Sequence, residues 1–434
     1  MKIYSLSALV AAGLLAGGLA TSANAADLGG NCCADLEERI AELEATTARK
    51  GNRKVSLTVS GWVGQQISFW DDGIESNTYV HDLGTTLASH VKFTGSAQIS
   101  PGWSAGYVLQ IEAIGSDGLT TSQDNPDGPA VFNALGGSAT GLGGVQTLQS
   151  YWFVKSDQLG KISLGKQSQA SDNTAILVDG SGSLVPANWV AYDVNSFAIR
   201  GVGPAVDNES TWGNAQSCLG QGGAWGDCNG LPQNSVRYDT PTFAGFSASA
   251  SWGADDFWDV ALRYAGEHHG FKLAVAGAYN ETTDQVYNGG SNVPDQQYFQ
   301  IGVYLQHVAT GLFGLYNFGT LDADFVSGPN AGLSIDGIDT HYAKIGLRTK
   351  FNHLGATVFY GEYLNGQDGG DEGRAALAGV GTELEVWGLG VVQEVDAAAM
   401  SVWVKYRNMS YEDDLIGTDY EDFNYVGVGG LINF

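Results

Sequence analysis

Eight basic residues share one placement, and the chemistry available to them is electrostatic. Each lies in a segment of alternating polarity, on the parity opposite to that segment's apolar residues, so an extended strand would carry the two kinds on opposite faces. Fixed cations on a hydrated surface act on the charges and dipoles of dissolved solutes. Any one of these basic residues could instead serve only to keep that surface hydrated. We expect three or four of the eight to lie at a constriction of an aqueous route. The eight are Lys92, Arg237, Arg263, Lys272, Lys344, Arg348, Lys405 and Arg407.

Three acids, Asp172, Asp179 and Asp193, lie in the longest connection between such segments, 169–233. A connection of this length needs a functional or disordered explanation. Its first part also contains apolar residues that are poorly suited to bulk water, and folding inward would bury them. The acids would then line a constriction opposite the basic set and produce a transverse field. The alternative is a large cap packed over the mouth. The apolar residues are Ile176, Leu177, Val178, Leu184, Val185 and Trp189.

Other patterns that suggest chemistry are weak. His268 and His269 follow Glu267 in a predicted short turn without a third ligand nearby, so a solvated turn is favoured over a zinc site. Ser, His and an acid do not form a recognisable hydrolase grouping. Gly141–Gly144 is not followed by a helical pattern that could bind phosphate. We therefore expect no catalytic residue, no metal, no cofactor and no enzymatic activity.

The elements that position these residues alternate with period 2. Sixty-two glycines, nine prolines and many aromatic residues suit numerous strands and turns. Sixteen alternating segments are predicted to be strands. They are approximately 55–69, 87–99, 104–113, 148–156, 161–168, 234–240, 245–253, 257–265, 271–280, 297–308, 312–320, 339–350, 355–364, 382–394, 399–409 and 422–434.

Short and long connections alternate between these segments, with 253–256 as a short exception on the long side. Short turns at one end and long loops at the other are typical of outer-membrane barrels, whereas a propeller would show a fixed repeat. The basic residues on the face opposite to the apolar residues would cost about 2–4 kcal/mol each at the lipid midplane, so that face must meet water. The sequence predicts an all-β fold, a 16-stranded antiparallel transmembrane β-barrel over 55–434 with an aqueous interior.

The N-terminal region has a different pattern. Residues 1–25 combine a basic start, a short apolar stretch and the sequence Ala-Asn-Ala, which together indicate a secretory signal peptide and export. Residues 26–54 predict a short periplasmic helix followed by a basic linker, since Asp35 and Glu38 resemble a capping box. Leucine and isoleucine at heptad spacing leave two interpretations open, a coiled coil of three copies and a frayed linker helix.

The last ten residues, Tyr425–Phe434, are predicted to close the barrel. Val426, Val428, Ile432 and Phe434 share one parity and would face lipid. An unshielded apolar strand is an aggregation template in a soluble protein, but a closed barrel pairs its last strand with its first. We expect Tyr425–Phe434 to pair with 55–69 on the short-turn side.

The formal net charge of −27 makes a nucleic-acid partner improbable. Acids are concentrated in the outer connections, where they would raise the local cation concentration and favour a mild cation preference. They could also share divalent ions with anionic outer-membrane lipid, although plain solvated loops are the simpler interpretation. The acids concerned are Asp71, Asp72, Glu75, Asp82, Glu412, Asp413, Asp414, Asp419 and Glu421.

Four cysteines fit an exported, oxidising compartment. Cys218 and Cys228 lie close together in the longest connection, and a disulfide between them would contribute about 2–3 kcal/mol. Cys32 and Cys33 are adjacent in sequence and cannot easily pair with each other. They could link subunits or remain free thiols.

Two stretches of the chain resemble a known family. The stretch Cys32–Gly61 resembles the start of the alphaproteobacterial porins, and Asn234–Phe246 resembles their mid-barrel hairpin. The ending Leu431–Phe434 is similar to the signal that the barrel assembly machinery reads, which makes Phe434 the candidate assembly residue. The resemblance covers essentially the whole mature chain. It implies a homotrimer in the outer membrane, in contact with lipopolysaccharide, with an inward-folded third loop.

The same resemblance implies a porin that passes small hydrophilic molecules and ions by passive diffusion. Two alternatives stay open at this point. One is a substrate-specific channel for sugars or an anion, which would show a saturable site. The other is a barrel that serves as an envelope tether or adhesin.

Overall fold

The computed structural model describes residues 54–126, 144–202, 210–216, 228, 230–253, 256–283, 293–328, 331–370, 381–414 and 419–434. Within these ranges, no helix has both the length and the apolar composition needed to cross a membrane. The predicted signal peptide, the predicted helix of 26–54 up to residue 53, and Cys32, Cys33 and Cys218 lie outside the described residues.

The described chain forms one antiparallel sheet that closes on itself. Its strands are β1 (Thr58–Asp71), β2 (Ser76–Asp82), β3 (His90–Ser100), β4 (Trp103–Ile114), β5 (Gly144–Ser156), β6 (Gly160–Gln167), β7 (Gln233–Asp239), β8 (Phe246–Gly253), β9 (Trp258–His268), β10 (Phe271–Thr282), β11 (Val293–His307), β12 (Leu312–Ser327), β13 (Ser334–Thr349), β14 (Thr357–Gln367), β15 (Thr382–Val395), β16 (Met400–Asp413) and β17 (Phe423–Asn433). The remaining regular elements are single turns: one α-helical turn, Leu184–Ala187, and 3₁₀ turns at Gly118–Thr120, Ile176–Val178, Val190–Asp193, Trp212–Gln216 and Asp396–Ala398.

These strands occupy sixteen positions around the barrel, because β2 and β3 share one position. The upper half of β1 pairs with β2, and its lower half pairs with β3. The predicted 16-stranded barrel is therefore confirmed, but the interpretation of 70–86 as a loop was wrong. Ser76–Asp82 is polar and has only two large apolar residues, so its alternation is weak. It becomes a strand by pairing with β1 after a tight turn in which Gly73 has φ +84°.

The first and last strands close the barrel as predicted. Val63 lies opposite Ile432, and Ile67 lies opposite Val428. Beyond the last paired residue, Gly61 and Phe434 exchange two backbone hydrogen bonds, each 3.0 Å long. Pairing of every edge in this way is what allows a sheet to cross lipid without unsatisfied backbone groups.

The two faces of the wall separate as the alternation predicted. On β16, Val404 is 53% exposed and points outward, whereas Lys405 and Arg407 are buried inside. On β10, Phe271 is exposed outside, and Lys272 faces an interior cavity. Apolar side chains thus cover the outer surface of the barrel, and the polar groups are inside, which is the arrangement that a lipid surround requires.

Several strands extend further at the long-loop end than the sequence predicted. β12 continues to Ser327, and β13 begins at Ser334, although 321–338 had been interpreted as a loop. In the extension of β12 the alternation continues with the faces exchanged, since Leu321, Ala323 and Phe325 are buried inside and the aspartates between them are exposed, so it does not match the pattern of apolar residues outside. The extensions enclose a small core of Tyr298, Leu321, Ala323, Phe325, Ile335 and Ile338, together with buried Cys228. The pairing of Cys228 with Cys218 stays a prediction.

Removal of the last residue tests the closure. Deleting Phe434 removes both hydrogen bonds to Gly61 and the exposed ring, so we expect much less folded barrel in the outer membrane. Phe434→Ala keeps the backbone bonds and isolates the contribution of the ring. Phe243→Ala is the matched control, because Phe243 is an 83% exposed aromatic residue in a short turn. Heat-modifiable gel migration of membrane fractions measures the yield, and an unchanged yield after deletion would contradict the account.

Candidate functional site

The connection between β6 and β7, residues 168–232, enters the barrel, and we call it the inward loop. Its first residues attach to β8 and β9, because the Ala170 amide donates to Ser251 Oγ at 2.9 Å and the Ser171 amide donates to Asp259 at 2.6 Å. The chain then passes β11, where the Ala175 amide donates to Gln300 Oε1 at 2.8 Å. The described part of the loop thus follows the inner wall rather than covering the mouth.

Apolar burial explains why the loop turns inward. Val178, Val190, Val194 and neighbouring loop residues are at most 3% exposed and share one core with inward residues of β13–β17. Burying such side chains contributes about 1.5–3 kcal/mol each. The loop also approaches the wall closely at Gly302, where an added Cβ would lie 2.1 Å from the Ala175 carbonyl oxygen. A side chain at that position would push the loop off the wall.

A buried ion pair attaches the middle of the loop to β13. Lys344 Nζ lies 2.5 Å from Asp179 Oδ2, and neither side chain is exposed. The same ammonium donates to Ser183 Oγ at 2.9 Å and to Asn188 Oδ1 at 2.6 Å. All three hydrogens of the ammonium therefore have acceptors on the inward loop, which a buried charge requires.

A second buried group attaches the end of this segment to β16. Asp193 lies 2.6 Å from Lys405 Nζ and also forms an ion pair with Arg407. Arg407 Nε lies 2.8 Å from Glu362 on β14, and Arg407 Nη2 donates to the carbonyl oxygens of the loop's helical turn. The Tyr342 hydroxyl donates to the other oxygen of Glu362 at 2.6 Å. The two cations and two carboxylates balance, and each has further hydrogen-bond partners.

The loop then rises to the mouth and crosses to β1 and β17. Arg200 Nε lies 2.8 Å from Asp72, and its Nη2 lies 2.7 Å from Glu75, in the turn between β1 and β2. Beneath this contact, Phe197 packs against Phe423 with ring centroids 5.1 Å apart. Burial raises the pKa of Asp72, but hydrogen bonds from Arg200, from backbone amides and from Gln123 bring it below the ordinary value of 3.8.

The opening lies on the other side of the loop. One cavity, on the side of β4–β10, is lined by residues including Gln110, Gln149 and Arg263. A second cavity is lined by residues including Lys272, Arg348 and Gln306. Trp62, Val178 and Ala274 line both cavities. The two spaces therefore meet between the loop edge and the wall of β1 and β10, and we call this route the passage.

Side-chain size explains why the passage runs there. The inward positions of β8–β10 carry mostly small residues: Ser247, Ser249 and Ser251 on β8, Ala261 and Ala265 on β9, and Ala274, Ala276 and Ala278 on β10. On the opposite side, large inward residues meet the loop, among them Tyr342, Tyr360, Leu364, Trp403 and Tyr425. The large side chains fill their half of the interior together with the loop, and the small ones leave the other half open.

The structure divides the predicted site residues into two groups. The first group lines the passage: Asp172, Arg237 and Arg263 in the first cavity, and Lys272 and Arg348 in the second. The second group is buried in the attachment of the loop, and its members are Asp193, Lys344, Lys405 and Arg407. Asp179 belongs to both, since it borders the second cavity while its carboxylate binds Lys344. Lys92 is buried on β3, where Gln110 lies opposite on β4.

Sequence reasoning missed several residues that matter. Glu362 pairs with Arg407, and Glu394 lies 2.5 Å from Arg348, yet neither acid was considered. Both have the inward parity of their strands, which is the signal that would have found them. Trp62 and Ala274 were also missed, although the run of small inward residues on β10 indicates open space.

Comparison with known proteins identifies the molecule. A family model described as Gram-negative porin matches residues 6–431. The chain belongs to this porin family. It is an outer-membrane β-barrel that forms a diffusion channel, and it is not an enzyme. No curated protein sequence gives a match.

Solved porin structures share this porin's fold. An anion-selective porin from Comamonas acidovorans has a TM-score of 0.56 at 15% identity, covering 88% of this chain and 100% of the other. Outer-membrane expressed OmpT of Vibrio cholerae has a TM-score of 0.52 at 12% identity, covering 88% and 99%. Salmonella typhi OmpF in complex with daunomycin has a TM-score of 0.51 at 12% identity, covering 88% and 98%. At these identities the likeness concerns the fold alone.

The attachment of the loop can be tested by removing one charge. Lys344→Met leaves Asp179 buried without its partner, which should loosen the porin's inward loop by about 3–5 kcal/mol. Limited proteolysis within 168–232 and thermal unfolding measure the change. The matched control is Lys350→Met, because the exposed pair of Lys350 and Asp396 should contribute less than about 1 kcal/mol. Adding Asp179→Leu to Lys344→Met should restore part of the protection, and unchanged proteolysis of the single variant would refute the attachment.

The contact at the mouth should depend on pH. Folding lowers the pKa of Asp72, so the ionised carboxylate stabilises the contact at the mouth. This stabilisation is fully present above the ordinary pKa of 3.8 and is lost as the pH falls through the lowered pKa. Phe197 and Trp212, both 1% exposed, should resist hydroxyl-radical oxidation at neutral and mildly acidic pH and become reactive only below 3.8. Asp72→Asn should make them more reactive at every pH. Exposure of the native rings at mildly acidic pH would contradict this role of Asp72.

Proposed function

We propose that this protein is a general porin for passive diffusion of small hydrophilic molecules and ions, with its narrowest point between the inward loop and the wall of β1 and β10. The observation that carries the proposal is the pair of cavities that share Trp62, Val178 and Ala274. A continuous water-filled route through a sixteen-strand barrel conducts ions without any moving part.

The predicted charged residues take two roles in this proposal. Asp172, Arg237, Arg263, Lys272 and Arg348 act on permeating solutes, since their side chains border the two cavities. Asp179, Asp193, Lys344, Lys405 and Arg407 position the loop, and the buried ion pairs support this role. Lys92, which is buried on β3, is assigned to neither role. The transverse field predicted from the sequence is then confined to the first group, because the second is neutralised within the wall, and it is weakened where Arg237 and Arg348 pair with Asp239 and Glu394.

The assembly and location of the porin are proposed from its sequence and its relatives. A structure of OmpT from Vibrio cholerae is described as a trimer form, which supports a homotrimer here. We propose export by a signal peptide of residues 1–25 and insertion by the barrel assembly machinery through Phe434. We also propose that the acidic rim contacts lipopolysaccharide and that Cys218 and Cys228 form a disulfide. The protein is further proposed to be of alphaproteobacterial origin.

Narrowing the passage tests the proposed function. Purified protein in planar bilayers should give large, ohmic conductance in potassium chloride. Ala274→Trp should lower the single-channel conductance several-fold, because Ala274 borders both cavities. Leu262→Trp is the matched control, since Leu262 is 57% exposed on the outer face of the neighbouring strand. No conductance from folded barrels, or an equal fall in both variants, would overturn the proposal.

A further inference from the structure

The charges that border the passage are unequally compensated. Asp179 is paired with Lys344, Glu394 with Arg348, and Asp239 with both Arg237 and Lys161. These carboxylates are neutralised by cations of the wall. The other acid that lines the two cavities, Asp172, is only 7% exposed and accepts a hydrogen bond from Asn173 at 2.5 Å.

Of the four cations that line the two cavities, Arg263 and Lys272 have no carboxylate at ion-pair distance in the described part of the chain. Arg263 donates to Ser249 Oγ at 2.6 Å, to the Ala170 carbonyl oxygen at 2.5 Å and to Thr174 Oγ1 at 3.0 Å, all of which are neutral acceptors. Lys272 is partly exposed and borders the second cavity. Arg263 lies opposite Ala276 and Lys272 opposite Glu267 on the paired strands β9 and β10. One cation therefore lies on each side of Ala274, where the cavities meet.

The groups around the same point are apolar and aromatic. Trp62 is partly exposed, and its ring is fixed because Nε1 donates to the Leu87 carbonyl oxygen at 3.1 Å and the ring packs edge-on against His90 at 4.1 Å. On the loop side, Leu177 and Trp189 are also partly exposed and line the first cavity. A solute that passes here meets fixed aromatic surface and fixed positive charge within one narrow region.

We propose that the passage favours small organic anions that carry an apolar or aromatic body, with aromatic monocarboxylates as the representative class. The inference rests on the proposed channel function and names its preferred solutes. The carboxylate of such a solute is attracted electrostatically by Arg263 and Lys272, and its ring makes a favourable aromatic contact with Trp62. The acidic outer loops predict a mild cation preference, but selectivity is determined where the route is narrow rather than at the wide, screened mouth.

The test compares benzoate with acetate in planar bilayers of the full-length protein. In free solution the smaller acetate diffuses faster, so a neutral sieve passes acetate better than benzoate. Reversal potentials with each potassium salt on one side and potassium chloride on the other give the two permeabilities. We expect the passage to reverse the order, with benzoate favoured by about 2- to 10-fold, the range that one aromatic contact provides. Benzylammonium, the cation of similar shape, should be the least permeant of the three.

Variants separate the two contributions. Lys272→Gln should lower the permeability of both anions relative to potassium and keep benzoate ahead of acetate, whereas Lys350→Gln, the control at an exposed turn, should change neither. Trp62→Leu should return the order to acetate first, and Trp62→Phe, which retains a ring, should keep benzoate first. Heat-stable migration confirms that each variant is folded.

Two results would overturn the inference in distinguishable ways. Ohmic conductance in potassium chloride with acetate favoured over benzoate would contradict the solute preference alone. Absence of potassium chloride conductance from folded barrels would contradict the proposed channel and the preference together.

Discussion

Within the barrel, the carboxylates of Asp179 and Asp193 on the inward loop bind Lys344, Lys405 and Arg407 on the wall, out of contact with bulk water. Replacing such buried pairs with well-packed apolar residues is often neutral for stability, but losing one partner is costly. Their effect here is positional, because a loop lined with valine and leucine could slide along an apolar wall. Because the partners of these charges lie on β13 and β16, the ion pairs fix the loop at one position along the wall. That position determines which side of the interior stays open.

Side-chain volume on the two halves of the wall is matched to that arrangement. Aromatic and aliphatic residues project from β11–β17 and complete a core with the loop, while serine and alanine occupy most inward positions of β8–β10. The barrel thus combines a packed interior with an aqueous one inside a single sheet. Burial of apolar side chains stabilises the packing of the loop against one half of the wall. The other half stays open, and Trp62 and the edge of the loop border its narrowest part.

The alternation of polarity determined much of what was predictable. It gave the number of strand positions, the closure between 55–69 and Tyr425–Phe434, and the inward parity of all eight basic residues. It could not separate Arg263, which faces the passage, from Arg407, which is buried, because both have the same parity and differ only in what the loop brings against them. Ser76–Asp82 was missed for a related reason, since its strand character depends on pairing with β1 rather than on its own composition.

The central claim is that the passage runs along β8–β10 and that the loop seals the interior face of β15 at Val386, away from the end of that strand where Val392 and Glu394 line the second cavity. Single cysteines introduced at Ser247, which borders the first cavity, and at Val386, which is 1% exposed behind the loop, test it most directly. An anionic methanethiosulfonate reagent added during single-channel recording should reduce the conductance of Ser247→Cys and leave Val386→Cys and the unsubstituted protein unchanged. Reaction at Val386→Cys without reaction at Ser247→Cys would place the route on the other side of the loop and contradict the account.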